Sequence, residues 1–80
     1  MLLNWINKLP IGYSEVIYNN QKYGLTRTDF IKGKSIKIYA KELGGKNFIS
    51  LNYYITYNQD LLKPCEMSDK KVIHFLKNFM

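Results

Sequence analysis

Cysteine, histidine and long apolar runs are scarce in this chain, and each shortage excludes a class of protein. Cys65 is the single cysteine, which excludes an intrachain disulfide framework. His74 is the single histidine and has no neighbouring cluster of Cys, Asp or Glu, so no metal site is predicted. No apolar run approaches the length of a transmembrane helix, and the N-terminus lacks the basic leader of a signal peptide. We therefore expect a cytoplasmic protein with no metal, no other cofactor and no membrane partner.

Negative charge is scarce as well. Six Asp and Glu residues stand against twelve Lys and Arg residues, a formal net charge of +6. This balance suits an acidic partner such as nucleic acid or an anionic membrane surface. Arg27 is the single arginine, and the excess of lysine is also what AT-rich codon usage tends to produce. A functional and a compositional origin of the charge both remain open.

Apolar residues, in contrast, are plentiful enough for one hydrophobic core. They make up 46% of the eighty residues, so a disordered chain is excluded. A chain of this length forms a single domain, and we assign residues 1–80 to it.

Two segments have the apolar spacing of a helix, at i, i+3, i+4 and i+7. The first contains Leu2, Trp5, Ile6 and Leu9 and stops at Pro10. The second contains Val72, Phe75, Leu76 and Phe79 and follows Ser68, a suitable N-cap. His74 falls opposite the second stripe and is predicted to be a surface residue.

The segment between the helices has the composition of antiparallel strands. Tyr13–Tyr18 and Tyr23–Phe30 are separated by polar residues, and a turn centred on residues 20–21 places Val16 opposite Leu25. The next turn, at residues 32–34, places Phe30 opposite Ile36. These two registers require a bulge within Gly24–Thr28, because Leu25 and Phe30 differ in parity.

A central hairpin around Gly44-Gly45 has the clearest alternation. A loop over residues 44–47 places Leu43 opposite Phe48 and separates two faces. The apolar face contains Ile36, Ile38, Ala40, Leu51, Tyr53 and Ile55. Gly44-Gly45-Lys46 is a turn rather than a phosphate loop. A phosphate loop connects a strand to a helix that follows directly, and this segment lacks that arrangement.

The fold class that follows is α+β. We predict a four-stranded antiparallel β-meander with an N-terminal and a C-terminal helix on one face, in the order α-β-β-β-β-α. Residues 57–60 are predicted as a loop, and residues 61–67 as a segment that crosses to the last helix.

The chain also resembles a family of small uncharacterised bacterial proteins. The likeness rests on Tyr23–Phe30, Gly33–Ser35, Glu42–Gly45, Asn47–Tyr54 and Leu62–Met67, and covers most of the chain. Members of that family are often labelled peptide methionine sulfoxide reductase. The resemblance therefore implies thiol chemistry, for which Cys65 is the only candidate nucleophile. Neither the Gly-Cys-Phe-Trp core of the A-type reductases nor the zinc cysteines of the B-type is present, so no other reductase residue transfers.

The predicted open face of the sheet is the main candidate for a function. Its residues are Arg27, Lys37, Tyr39, Lys41, Ser50, Asn52 and Tyr54, with Asp29 and Glu42 at its border. Interleaved cations and aromatic rings on a sheet can hold phosphates and stack unpaired bases. A solvated face, and a contact with a protein partner or a second copy, are the alternatives.

Three functional hypotheses result. The leading one is a small basic, non-enzymatic binding module that uses its open β-face for single-stranded nucleic acid or a protein partner. The alternative is a thiol-dependent methionine sulfoxide reductase centred on Cys65, although a lone cysteine is more often a small buried apolar residue. A structural protein that forms homodimers is a third.

Overall fold

A computed structural model describes residues 2–80 as one antiparallel sheet with a helix at each end of the chain. The strands are arranged in chain order, β1-β2-β3-β4-β5. The elements are α1 (Leu2–Ile6), β1 (Gly12–Tyr18), β2 (Gln21–Phe30), β3 (Ser35–Glu42), β4 (Phe48–Ile55), β5 (Asp60–Pro64) and α2 (Asp69–Asn78). The predicted α+β class and the antiparallel meander are confirmed. The predicted number of four strands is wrong, since the sheet has five.

The additional strand is β5, in a region predicted as a loop and a crossing segment. It pairs with β4, where Tyr53 lies opposite Leu62 and Tyr54 opposite Leu61. The strand is only five residues long and ends at Pro64, which is why its composition does not indicate a strand. Proline is tolerated here because β5 is an edge strand, where a missing N–H costs no ladder hydrogen bond.

The β1–β2 hairpin turns one residue earlier than predicted. Asn19 and Asn20 have φ values of 53° and 63°, the left-handed pair that a two-residue type I′ turn requires. Val16 consequently lies opposite Tyr23 rather than Leu25. This register differs by two residues from the predicted one, so each side chain stays on its predicted face.

The β2–β3 register differs from the prediction by one residue, which exchanges faces. Phe30 lies opposite Ser35 rather than Ile36. Leu25 therefore shares the apolar face of β3, and Phe30 points to the other side. Pairing of β2 is continuous on both of its sides, so the bulge predicted within Gly24–Thr28 is absent.

The central β3–β4 hairpin has the two faces that its alternation predicts. Its register is displaced by two residues, with Ile38 opposite Leu51. The Glu42 N–H donates to the Asn47 carbonyl at 2.9 Å and closes the turn. The buried apolar side chains of this hairpin are Ile36, Ile38, Ala40, Ile49, Leu51 and Tyr53.

The hydrophobic core lies between this face and the two helices. Helix α2 begins after Ser68, whose hydroxyl accepts a hydrogen bond from the Lys71 N–H at 3.2 Å, as an N-cap should. Val72, Phe75 and Leu76 are buried against the sheet. The Phe75 ring meets the Tyr18 ring edge-on at 4.8 Å and the Tyr23 ring at 5.7 Å.

Helix α1 is shorter than its apolar stripe. It ends at Ile6, and a tight turn follows in which the Leu9 N–H donates to the Ile6 carbonyl at 3.0 Å. Ile6 and Leu9 are both buried in the core, so the stripe is used although its last part is not helical. No helix in residues 2–80 is long and apolar enough to cross a membrane.

Candidate binding face

The five strands present a second face, opposite the one that packs against the two helices. We call it the open face. By register it carries Tyr13, Glu15, Ile17, Lys22, Gly24, Thr26, Thr28, Phe30, Ser35, Lys37, Tyr39, Lys41, Phe48, Ser50, Asn52, Tyr54, Leu61 and Lys63. Because the sheet is antiparallel with short turns, these side chains form rows across the strands.

Aromatic rings are distributed over the open face rather than gathered in a cluster. Tyr39 and Tyr54 keep 42% and 36% of their surface exposed. The Tyr39 and Phe48 rings are 6.1 Å apart and tilted by 33°. Tyr13 and Phe30, which were not among the predicted site residues, extend the set and are more exposed still. Each ring offers a flat surface to a stacking group.

Lysines flank the central rings. Lys37 and Lys41 lie two residues before and after Tyr39 on β3, so all three side chains project from one face. Across the sheet, Lys37 lies opposite Asn52, which lies opposite Lys63. A second cationic group comes from α2, whose Lys71 ammonium lies 5.7 Å from the centre of the Phe48 ring.

Carboxylates are almost excluded from the open face. Glu15 on the edge strand β1 is the single one, and it lies 3.6 Å from the Lys22 ammonium. The two acids predicted at the border lie elsewhere. Asp29 accepts hydrogen bonds from Arg27 on the packed side, and the Glu42 carboxylate accepts from the Asn47 N–H at 3.3 Å. The open face is therefore strongly positive.

Arg27 is not part of the open face, and its predicted place there is wrong. The one-residue register difference turns it to the packed side, where it is 8% exposed. Its guanidinium donates to the carbonyls of Ile6 and Leu9 at 3.1 and 2.8 Å and holds Asp29 at 2.9 and 3.0 Å. Arg27 thus satisfies carbonyl groups at the end of α1 and ties that helix to the sheet.

Cys65 directly follows β5 and lies beside Ser50 of β4, a position that could not be predicted without β5. Its N–H donates to the Ser50 carbonyl at 2.9 Å, and the Asn52 side-chain amide donates to its sulfur at 3.5 Å. The thiol is half-buried, and Ser50 is buried. Predicting β5 would have placed Cys65 and Lys63 beside Ser50 and Asn52.

Two tyrosines on the packed side have raised pKa values and no part in the open face. Burial, followed by the hydrogen bond to Asp60, raises the pKa of Tyr53 to about 12. Burial, followed by the proximity of Tyr23, raises the pKa of Tyr18. The Tyr18 hydroxyl is hydrogen-bonded to Nδ1 of His74, which is exposed as predicted. Both hydroxyls thus anchor packed elements.

Neither a cavity nor a metal site accompanies these groups. Residues 2–80 enclose no pocket, and they contain no group of three or more His, Cys, Asp or Glu side chains that could hold a metal ion. Comparison of the chain with protein-family models, with curated proteins and with solved structures gives no significant match. The reductase hypothesis therefore stays a prediction of the resemblance alone.

Proposed function

We propose that this protein is a non-enzymatic binding module that holds single-stranded nucleic acid on its open face. The observation that carries the proposal is the composition of that face: exposed rings alternate with lysines, and Glu15 is its only carboxylate. Nucleic acid combines a polyanionic backbone with flat apolar bases, so it complements both components.

The arrangement around Tyr39 suits an unpaired strand. Bases would stack on the Tyr39, Phe48 and Tyr54 rings, and phosphates would lie near the flanking lysines. Asn52 adds a polar group between these rings, whereas Ser50 is buried. A duplex is a poorer fit, because its bases are already stacked and its flat surfaces are hidden.

Charge argues against self-association through the same surface. Two open faces related by a two-fold axis would bring like-charged lysine rows together, at an energetic cost. Lys37 and Lys41 have no ion pair within residues 2–80, where the ion pairs are Lys22–Glu15 and Arg27–Asp29. A polyanion is therefore favoured over a second copy.

Fluorescence polarisation with a short labelled single-stranded oligonucleotide tests the proposal. Affinity should fall as salt rises, with a slope of about −0.7 for each phosphate contacted. Replacing both Lys37 and Lys41 with Gln should reduce that slope by about 1.4 if each holds one phosphate. The matched control replaces Lys70 and Lys77 of α2 with Gln, which removes the same charge away from the open face.

Two results would reject the proposal. One is the absence of binding even at low salt. The other is an equal loss of affinity in the open-face and α2 double variants, because that would reflect net charge and not a defined surface.

A further inference from the structure

The turn between β2 and β3 holds an isoleucine in a backbone conformation that isoleucine rarely adopts. Ile31 and Lys32 have φ values of 54° and 55°, and the Gly33 N–H donates to the Phe30 carbonyl at 3.1 Å. Left-handed φ is uncommon in any residue other than glycine and exceptional in a β-branched one. Conformations of this kind cluster at sites of ligand contact.

The opposite end of the sheet provides an internal comparison. The β1–β2 turn has the same pair of left-handed φ values and fills them with Asn19 and Asn20, the residue type that tolerates this conformation best after glycine. Ile31 is also 74% exposed. Neither backbone preference nor burial in the fold therefore accounts for isoleucine at this position.

Ile31 belongs to a group of exposed apolar side chains at one end of the sheet. The β4–β5 turn lies beside the β2–β3 turn, and the Ile55 N–H donates to the Lys34 carbonyl at 2.8 Å. Tyr57 in that second turn is fully exposed, and Phe30 is half-exposed. We call Phe30, Ile31 and Tyr57 the apolar tip.

The charges around the apolar tip are positive. Lys32 and Lys34 lie in the same turn as Ile31. The nearest carboxylates along the chain are already engaged: Asp29 accepts from Arg27, and Asp60 accepts from the Tyr53 hydroxyl. The tip thus combines protruding apolar groups with cations that no adjacent acid neutralises.

We propose that the apolar tip inserts into the headgroup region of an anionic lipid membrane. Ile31, Phe30 and Tyr57 would reach the boundary between headgroups and acyl chains. Transfer of apolar groups out of water is favourable there, and tyrosine is enriched at this depth in membrane proteins. Lys32 and Lys34 would contact the anionic headgroups. This proposal departs from the expectation of no membrane partner. That expectation rested on the lack of a membrane-spanning helix, and a peripheral contact does not require such a helix.

Cosedimentation of the full chain with lipid vesicles tests this proposal. Vesicles that contain phosphatidylglycerol should bind the protein, and vesicles of phosphatidylcholine alone should bind it far more weakly. Ile31→Asn should reduce binding to the anionic vesicles on the order of tenfold, while thermal unfolding shows a fold at least as stable, since Asn suits the backbone better. Leu43→Asn, at an exposed residue of the opposite end, is the matched control and should retain binding.

Two results would overturn the membrane proposal. The first is no binding to anionic vesicles. The second is undiminished binding of Ile31→Asn, because attraction would then come from net charge alone. The apolar tip shares Phe30 with the open face, but Ile31 lies outside that face. Ile31→Asn should therefore leave oligonucleotide affinity unchanged. If Ile31→Asn weakens oligonucleotide binding and vesicles are not bound, the tip belongs to a nucleic-acid surface and the membrane proposal fails.

Discussion

The same strands form both faces of the sheet, but the cationic side chains of the two faces have opposite surroundings. On the packed face, Arg27 is buried and each nitrogen of its guanidinium donates hydrogen bonds. The acceptors are Asp29, the Asn7 side chain and the carbonyls of Ile6 and Leu9. On the open face, Lys37 and Lys41 project into solvent beside exposed rings. A cation that is satisfied within the fold stabilises it, whereas unsatisfied cations beside bare rings remain available to a partner.

The largest effect that tests this comparison is expected at Arg27. Arg27→Ala should lower the free energy of unfolding by about 3–5 kcal/mol, because it leaves Asp29 and the carbonyls of Ile6 and Leu9 without their partner. Arg27→Lys should recover only part of this, since an ammonium cannot reproduce the planar fork. Urea denaturation measures both.

Lys37→Ala is the control for Arg27→Ala, because it removes a cation from the same sheet on the other face. Its free energy of unfolding should stay close to that of the wild type. Equal losses in the two variants would show that the faces do not differ in the way described.

Tyr39→Ala tests the open face itself. We expect it to weaken binding of a single-stranded oligonucleotide by about 1–3 kcal/mol, the contribution of one stacked base, with little change in stability. Tyr57→Ala removes a fully exposed tyrosine that lies outside the open face and should keep wild-type affinity. Fluorescence-polarisation titrations measure the oligonucleotide affinity of the two variants. Similar losses of affinity in both would contradict a defined stacking surface at Tyr39.

A smaller effect is expected from Tyr53 on the packed face. Its folded-state pKa of about 12 exceeds its usual value of 10.0, so the folded form holds the proton more tightly than the unfolded form. The resulting stabilisation is present below pH 10 and is lost as the pH rises toward about 12. Tyr53→Phe should flatten the fall in stability over this range, measured by urea denaturation at each pH, and Tyr57→Phe should not. Identical pH profiles in wild type and Tyr53→Phe would contradict this assignment.

The smallest effect is expected at Cys65. If the protein is a binding module and not a reductase, it should not turn over a methionine sulfoxide peptide with dithiothreitol, and Cys65→Ser should leave oligonucleotide affinity nearly unchanged. Turnover by the wild type that is lost in Cys65→Ser would instead support the reductase hypothesis.

The alternation of apolar and polar side chains made most of the fold predictable from the sequence. The strand registers were less predictable, because they depend on the conformations of the turns. The two faces of the central hairpin follow from the period of two, so a register error of two residues did no harm to them. The β2–β3 register failed because Ile31 and Lys32 adopt left-handed φ values that their residue types do not indicate. That error of one residue moved Arg27 to the wrong face.

The candidate site was predictable to a similar extent. Lys37, Tyr39, Lys41, Asn52 and Tyr54 lie together on the open face as expected. Lys63 was missed, and Cys65 was not placed beside Ser50 and Asn52, because β5 is short and contains Pro64. Phe30 was missed because the β2–β3 register differs from the predicted one by one residue. Tyr13 lies on the face that its predicted register gives, but it was not included in the predicted site.

An NMR titration of the uniformly labelled protein with a short single-stranded oligonucleotide, at low and at moderate salt, is the most direct test of the central claim. We expect shifts at Lys37, Tyr39, Lys41 and Tyr54 that weaken as salt rises, with the amides of α2 away from Lys71 little affected. No shifts on the open face at low salt, or shifts confined to the helices, would contradict it.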